Sequence, residues 1–151
     1  MIEREALKCA LQEPAIVTHW YESVEETAYT HPSAVAVHQA IAAAGYPSES
    51  VDGLAWIDAV LENCADDQVR NLVRELAVEP LPSNAGQGVR YATSVIARLL
   101  ELDASRRIED LKGRLQRTED GSEAAAEVMR DLMALEDYRR SLRANATGQS
   151  S

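Results

Sequence analysis

The stretch from Gly88 to Thr118 constrains the fold more than any other part of this 151-residue chain. It contains no proline, and Gly113 is its only internal glycine, so little in it would stop a helix. At ~1.5 Å per residue this helix would be about 45 Å long, which is more than a small core needs. We therefore expect its far end to project from the folded body.

The rest of the sequence also favours helices. The chain has seven glycines, five prolines and no phenylalanine, and with 46% apolar residues it can form one compact core. Apolar residues recur at helical spacing within residues 2–12, 14–21, 31–44, 54–61 and 67–79. Thr30, Asp66 and Asp67 are residues typical of helix N-caps. These patterns predict an all-α fold.

A tight turn at residues 119–122 follows the long helix, with Ser122 as the expected N-cap of a last helix. Because so short a connection brings two helices antiparallel, the chain should end in a helical hairpin. The predicted organisation is an N-terminal helical bundle over residues 1–85, a long connecting helix plus C-terminal helical hairpin over 86–144, and a flexible tail over 145–151. The segment from Leu81 to Gln87 is the expected linker.

The formal net charge of -10 argues against direct nucleic-acid binding, because phosphates attract clustered Lys and Arg. Residues 1–84 hold 14 acids and 4 bases, whereas residues 85–151 hold 11 of each. We expect a protein partner. No apolar run long enough for a membrane span and no signal peptide is evident. Cys9 and Cys64 are expected to be buried, reduced thiols, which suits a cytoplasmic protein.

The sequence offers no convincing catalytic constellation. His31 and His38 are seven residues apart, about 10 Å of helical rise, which is too far to bind one metal ion. Gly86-Gln87-Gly88 lacks the third glycine and the preceding strand of a phosphate-binding loop. Adjacent acid pairs such as Asp66-Asp67 point in different directions on a helix. We predict no catalytic residue, no metal site and no cofactor in this chain.

Two groups of side chains are candidates for binding. Arg4 with Lys8 and Arg70 with Arg74 are each spaced four apart, so two adjacent helices would place them in one cationic patch. The alternative is that these bases only pair with neighbouring acids.

The last helix carries the second group. Tyr138, Arg139, Arg140 and Arg143 cluster beside Leu135 and Leu142, and interfaces are enriched in aromatic residues and arginine. Met129 and Met133 also need a surface to cover them. The alternative is that all the apolar residues fill the seam of the hairpin.

Four stretches, in this order and spacing, carry a family resemblance. They are Arg4 to Lys8 with Leu11 to Pro14, Tyr29-Thr30-His31-Pro32 with Ala42 to Gly45, Glu75 to Leu81, and Arg106 to Lys112 with Leu115 to Thr118. Together they resemble the C-terminal, helicase-binding domain of bacterial DnaG-type DNA primases, particularly those of high-GC Gram-positive bacteria. The resemblance covers nearly the whole chain, and the family has the same bundle, long helix and hairpin.

The resemblance implies that the hairpin binds the replicative DnaB-type helicase and recruits RNA primer synthesis to the replication fork. The implied helicase-binding residues are Leu132, Leu135, Tyr138, Arg139 and Leu142. Some relatives also bind the acidic tail of single-stranded DNA-binding protein, for which the candidates here are Arg4, Lys8, Arg70 and Arg74. The chain would then be a fragment without catalysis of its own, and the parent primase would use zinc and Mg²⁺.

Two other classes of function stay open at this point. One is a free-standing regulatory helical protein that self-associates through the same face of the hairpin. The other is a metal-dependent hydrolase that uses helical carboxylates, which predicts stabilisation by Mg²⁺.

Overall fold

The computed structural model describes residues 2–48, 52–82 and 88–146, with the backbone alone at 145 and 146. Within these ranges the chain forms seven α-helices, one short 3-10 helix at Glu26–Ala28 and no strand. The helices are α1 (Ile2–Gln12), α2 (Pro14–Tyr21), α3 (Pro32–Ala43), α4 (Gly53–Glu62), α5 (Asp67–Val78), α6 (Gly88–Gln116) and α7 (Glu123–Ala146). The all-α prediction is confirmed. Most of the expected linker and of the expected tail lies outside the described residues.

Several helix ends follow the predicted local chemistry. The Asp66 carboxylate accepts a hydrogen bond from the Val69 N–H at 3.0 Å, and the Ser122 hydroxyl accepts one from the Ala125 N–H at 3.1 Å. At the end of α3, Gly45 has a φ of 102°, and its N–H donates to the Ala42 carbonyl at 3.0 Å. A left-handed glycine at this position satisfies carbonyls that the helix leaves unpaired.

The predicted cap of α3 was wrong. The N-cap is His31, whose side chain makes no capping hydrogen bond. The carboxylate of Glu3 on α1 accepts hydrogen bonds from the Thr30 N–H at 2.8 Å, the Thr30 hydroxyl at 2.6 Å and the His31 N–H at 3.2 Å. A negative charge at a helix N-terminus is favourable. Glu3, although distant in sequence, therefore caps α3 in place of a local side chain.

The bundle is built around α1, which is buried along most of its length. Its neighbours include α2, α3, α4, α5 and the first part of α6. Trp56 of α4 is buried, and its indole N–H donates to the Ala10 carbonyl at 3.0 Å. Cys9 and Cys64 are buried and unpaired as predicted.

The long helix α6 belongs to two apolar clusters. Its first part contributes Ala92, Ile96, Leu99 and Ala104, among others, to the bundle core. Its far part forms a separate small cluster with α7, made of Ile108, Leu111, Val128 and Leu132. The change from one cluster to the other falls inside α6, between Ala104 and Ile108, so the bundle and the hairpin share this helix.

The hairpin is anchored to the bundle where α7 returns to it. Leu142 is only 2% exposed and lies in the bundle core. At the next residue of α7, the Arg143 guanidinium donates to the Glu101 carboxylate of α6 at 2.8 Å, and Arg98 donates to the same carboxylate at 2.9 Å. The C-terminal end of α7 is thus attached to the bundle by the buried Leu142 and to α6 by the Glu101 carboxylate.

Replacing Leu142 should destabilise the fold. Leu142→Ala removes buried methyl groups and leaves a cavity, and we expect a loss of about 2–5 kcal/mol in the free energy of unfolding. Urea denaturation followed by circular dichroism measures it. Met133→Ala, an equally apolar residue on the same helix that is 63% exposed, is the control and should change stability by less than about 0.5 kcal/mol. Equal losses for the two variants would contradict the anchoring role.

Candidate docking surfaces

Two of the five implied helicase-binding residues are buried. Leu132 is 7% exposed and packs in the small cluster at the far end of the hairpin, and Leu142 lies in the bundle core. Both face α6 or the bundle and not solvent. These two residues are therefore corrected from docking residues to structural ones, because the stripe that defines an amphipathic helix is the side that its own hairpin covers.

The other three residues are more accessible. Tyr138 is 39% exposed, and Leu135 and Arg139 are half-buried. The Arg139 guanidinium donates to the Ser105 hydroxyl of α6 at 3.4 Å. Of the five, Tyr138 offers the most apolar surface to a partner, since a tyrosine ring buries a large area at little cost in side-chain entropy.

Two methionines lie on a different side of α7 from Tyr138. Met129 is 45% exposed and Met133 is 63% exposed. They were expected to need a covering surface, and the structure leaves them open. At 100° per residue the two point outward, away from the side of α7 that meets α6. The hairpin therefore presents apolar side chains on an outer face as well as in its seam.

The bases of α1 form an ion-pair cluster with the end of α5. Arg4 pairs with Glu75 at 2.9 Å and also with Glu79, and Lys8 pairs with Glu79 at 3.3 Å and Glu5 at 2.7 Å. The hydrogen bond from Arg4 lowers the pKa of Glu79 to about 2. The positive charges of α1 are thus neutralised by acids of the same domain.

Arg70 and Arg74 lie elsewhere, although α1 and α5 do pack side by side as supposed. At 100° per residue they project from α5 at about 100–180° around the helix axis from Glu75 and Glu79. Arg70 pairs with Asp67 at 2.6 Å, and Arg74 donates to the Asn71 side chain at 3.4 Å, so these partners lie on α5 itself. For Arg4 and Lys8 the structure thus shows the alternative, pairing with neighbouring acids, and the binding of an acidic tail stays a prediction.

Several charged side chains that sequence reasoning missed connect the hairpin to the bundle. The Arg107 guanidinium donates to the Glu25 carboxylate at 3.0 Å and to the Thr27 hydroxyl at 2.8 Å, and it also pairs with Asp103 at 3.1 Å. The preceding Arg106 donates to the Thr27 and Ala28 carbonyls at 3.3 and 3.2 Å. The four-residue spacing of Asp103 and Arg107 predicts an ion pair along one helix, so the sequence could have revealed this contact. The contacts of Arg107 with Glu25 and Thr27 are distant in sequence and could not have been found in this way.

Two further findings bear on the kind of site. Among the described residues, no three His, Cys, Asp or Glu side chains are grouped so that they could hold a metal ion. None of the helices described here has the length and apolar character needed to cross a membrane.

The chain is similar to known proteins in both sequence and structure. Residues 3–132 match the family described as DNA primase DnaG DnaB-binding. The chain is 40% identical to the DNA primase of Mycolicibacterium smegmatis over 150 residues, and 38% identical to that of Mycobacterium tuberculosis over 149 residues. Each alignment covers 97% of this chain and 23% of the primase. The structure is similar to the helicase binding domain of primase from M. tuberculosis, with a TM-score of 0.84 and 35% identity over 98% of this chain and 93% of that one.

The fold and the surfaces define a class of small all-α domains in which a helical bundle carries a projecting hairpin. Within that class, the chain belongs to the DNA primase DnaG DnaB-binding family. It spans about a quarter of the length of the curated primases that it matches.

The paired carboxylates predict a loss of stability in acid. Burial alone would raise the pKa of Glu3 and of Glu101, but hydrogen bonds from Thr30 and from Arg143 outweigh it and hold each pKa below its usual value. The pKa of Glu79 is also lowered, to about 2. Because these folded-state values lie below the unfolded value of 4.5, their stabilisation is complete above that pH and is lost as the pH falls toward about 2.

Urea denaturation across this acid range tests the prediction. We expect the midpoint to fall steadily below pH 4.5 and to fall less in Glu79→Gln, which lacks one of the lowered groups. Asp103 acts in the opposite direction, because burial raises its pKa, and it offsets part of the slope. A midpoint independent of pH throughout this range would refute the assignment.

Proposed function

We propose that this chain is the helicase-docking domain of a bacterial DNA primase. In this proposal the hairpin of α6 and α7 binds a replicative DnaB-type helicase and so recruits RNA primer synthesis to the replication fork. The observation that carries the proposal is the hairpin itself, which projects beyond the bundle core and keeps Tyr138, Met129 and Met133 exposed. Membership of the DnaB-binding family supports the choice of partner.

The way the hairpin is attached suits a docking role. Leu142 and the Glu101 carboxylate fix its base, whereas only a small cluster holds its far end together. A fixed orientation lowers the entropy that binding would cost. A face two helices wide offers limited area, so we expect a modest and exchangeable complex rather than an obligate one.

The chemistry of primer synthesis would reside in the rest of the primase. The chain covers 23% of the relatives' length, and the described residues hold no group of potential metal ligands. We infer that the zinc and Mg²⁺ of the parent primase would be bound by its other parts. In this proposal the domain positions the primase on the helicase, and the other parts of the primase carry out catalysis.

Tyr138→Ala should weaken helicase binding. Truncating an aromatic hot-spot residue at an interface costs about 2 kcal/mol or more, so we expect the Kd to rise by at least about tenfold in calorimetry with the hexameric helicase. Val89→Ala is the control, because Val89 is an exposed apolar residue on the bundle portion of α6. Unchanged circular dichroism establishes folding. Equal affinity for the parent and Tyr138→Ala would remove Tyr138 from the interface.

We also propose a smaller role for the bundle in binding the acidic tail of single-stranded DNA-binding protein. Arg70 and Arg74 are the better candidates, because their polar partners among the described side chains lie on their own helix, Asp67 at 2.6 Å and Asn71 at 3.4 Å. Arg4 and Lys8 are less suited, since Glu75, Glu79 and Glu5 already neutralise them.

Arg70→Glu tests this second role. Reversing the charge should weaken binding of an acidic tail peptide several-fold, and added salt should reduce the difference. Arg140→Glu is a matched control, because Arg140 also pairs with an aspartate three residues earlier on its helix, Asp137 at 2.9 Å. Fluorescence anisotropy with a labelled peptide gives both affinities. The same affinity in both variants would rule out the α5 site.

A further inference from the structure

A band of polar side chains separates the two apolar clusters of the molecule. On α6 the bundle core ends at Ala104 and the small cluster begins at Ile108. Among the described residues, neither cluster takes a side chain from 105–107 of α6 or from 136–141 of α7, and these two stretches form the polar band. The angle between the bundle and the projecting part of the hairpin is therefore set by the helix backbones and by polar contacts.

Two arginines of the polar band connect α6 to the 3-10 helix of the bundle. Arg107 donates to the carboxylate of Glu25, the N-cap of the 3-10 helix, at 3.0 Å and to the Thr27 hydroxyl at 2.8 Å. Arg106 donates to the Thr27 and Ala28 carbonyls at 3.3 and 3.2 Å. These four hydrogen bonds join the start of the projecting part of α6 to the body of the bundle.

The 3-10 helix is a firm support for these hydrogen bonds. Ala28 and the following Tyr29 are both buried in the bundle core. The hydroxyls of Tyr29 and Tyr21 are hydrogen-bonded to each other at 2.9 Å, and the Thr30 N–H and hydroxyl donate to the Glu3 carboxylate at 2.8 and 2.6 Å. Because the segment is fixed to α1 and α2, it can hold α6 in one position.

We propose that Arg106 and Arg107, together with residues 25–28, form a clamp that sets the direction of the hairpin. When the clamp opens, α6 bends at the polar band and the tip of the hairpin swings relative to the bundle. The inference goes beyond the proposed function, because it concerns the shape of this domain whichever partner the hairpin binds.

The clamp is made of contacts that can break without unfolding the domain. The Glu25 side chain is 68% exposed and the Arg107 side chain is 37% exposed. Ion pairs with this exposure are individually weak and are screened by salt. Neither Arg106 nor Arg107 belongs to an apolar cluster, so the clamp can open while both clusters stay packed.

Asp103 makes the open arrangement accessible. Its carboxylate lies 3.1 Å from the Arg107 guanidinium and 3.6 Å from that of Arg106, and its side chain is 9% exposed. Both arginines keep this partner about one turn back on the same helix when their bonds to the 3-10 helix break. Opening therefore does not leave two adjacent positive charges without a counter-charge.

Ser105 gives α6 a place to bend. Its hydroxyl accepts a hydrogen bond from Arg139 of α7 at 3.4 Å. A serine hydroxyl within a helix can also bond to the carbonyl of the preceding turn, and such bonds often bend helices. The end of α6 at Gln116 lies about 14 Å beyond Arg107 at ~1.5 Å per residue. A bend of about 20° would displace this end by roughly 5 Å.

Electron-spin distance measurements test the clamp. Spin labels on Glu62→Cys in the bundle and Gln116→Cys at the end of α6 would report the angle, since both positions are exposed. Cys9 and Cys64 are buried, so labels added to the folded protein go to the introduced cysteines. We expect a narrow distance distribution at low salt with the clamp intact.

Arg107→Ala should shift or broaden this distribution by about 5 Å, because it removes the ion pair and the bond to Thr27. Arg140→Ala is the matched control and should leave the distribution unchanged. Arg140 pairs with Asp137 at 2.9 Å on its own helix and so does not connect the hairpin to the bundle. Circular dichroism and thermal melting verify that each variant folds like the parent.

Two further measurements approach the clamp from its other side. Glu25→Ala changes the bundle and leaves α6 intact, and it should broaden the distribution in the same direction. Combining it with Arg107→Ala should add little, because both changes remove one contact. Sodium chloride at about 1 M, where the Debye length is about 3 Å, should broaden the distribution of the parent and scarcely change that of Arg107→Ala.

Three outcomes would overturn the proposal. An Arg107→Ala distribution as narrow as that of the parent would mean that α6 keeps its direction without the clamp. Equal broadening in Arg140→Ala would assign the effect to the loss of any surface arginine. A parent distribution that is already broad at low salt would mean that the clamp does not hold. None of these measurements involves the helicase, so a failure of the proposed function is distinguished from a failure of the clamp.

Discussion

The return of α7 to the bundle is the constraint on which the rest of the structure depends. Leu142 enters the bundle core and Arg143 reaches the Glu101 carboxylate of α6, so α7 is attached near its C-terminal end as well as at its turn. The hairpin has too small a core of its own, with four buried residues, to hold a fixed direction unaided. Because α6 also belongs to both cores, its far half can project from the body without becoming a loose appendage.

Charge is used differently in the two parts of the molecule. The bundle has few bases, and Arg4 and Lys8 form ion pairs with acids of α1 and with acids at the end of α5. Its remaining surface is mostly acidic, which disfavours attraction to nucleic-acid phosphates. The C-terminal part that forms the hairpin has balanced charges, with 11 acids and 11 bases over residues 85–151. Selectivity for one protein is thus expected to come from the hairpin, where attraction depends on the order of charges and not on their sum.

The apolar stripe of α7 shows the limit of reading a docking surface from sequence. A stripe of leucines at helical spacing correctly predicts that α7 is amphipathic, but it does not tell the covered side of the helix from the side that binds a partner. The structure seals Leu132 and Leu142 against α6 and the bundle and leaves Met129, Met133 and Tyr138 open. Helix α4 is a second example: Leu54, in the apolar-periodic stretch 54–61, is exposed, whereas Trp56 is buried and its indole N–H donates to the Ala10 carbonyl.

The sequence by itself determined the all-α class, most of the helix ends and the antiparallel hairpin. These depend on local physics: spacing of apolar residues, caps such as Asp66 and Ser122, and a turn too short for any other path. Only the tertiary structure decided which side of each helix is covered, why Glu3 caps α3, and how Arg4 comes to pair with Glu79, 75 residues away. The physical reason is that such contacts depend on how distant helices are rotated against each other, and helical periodicity carries no information about that rotation.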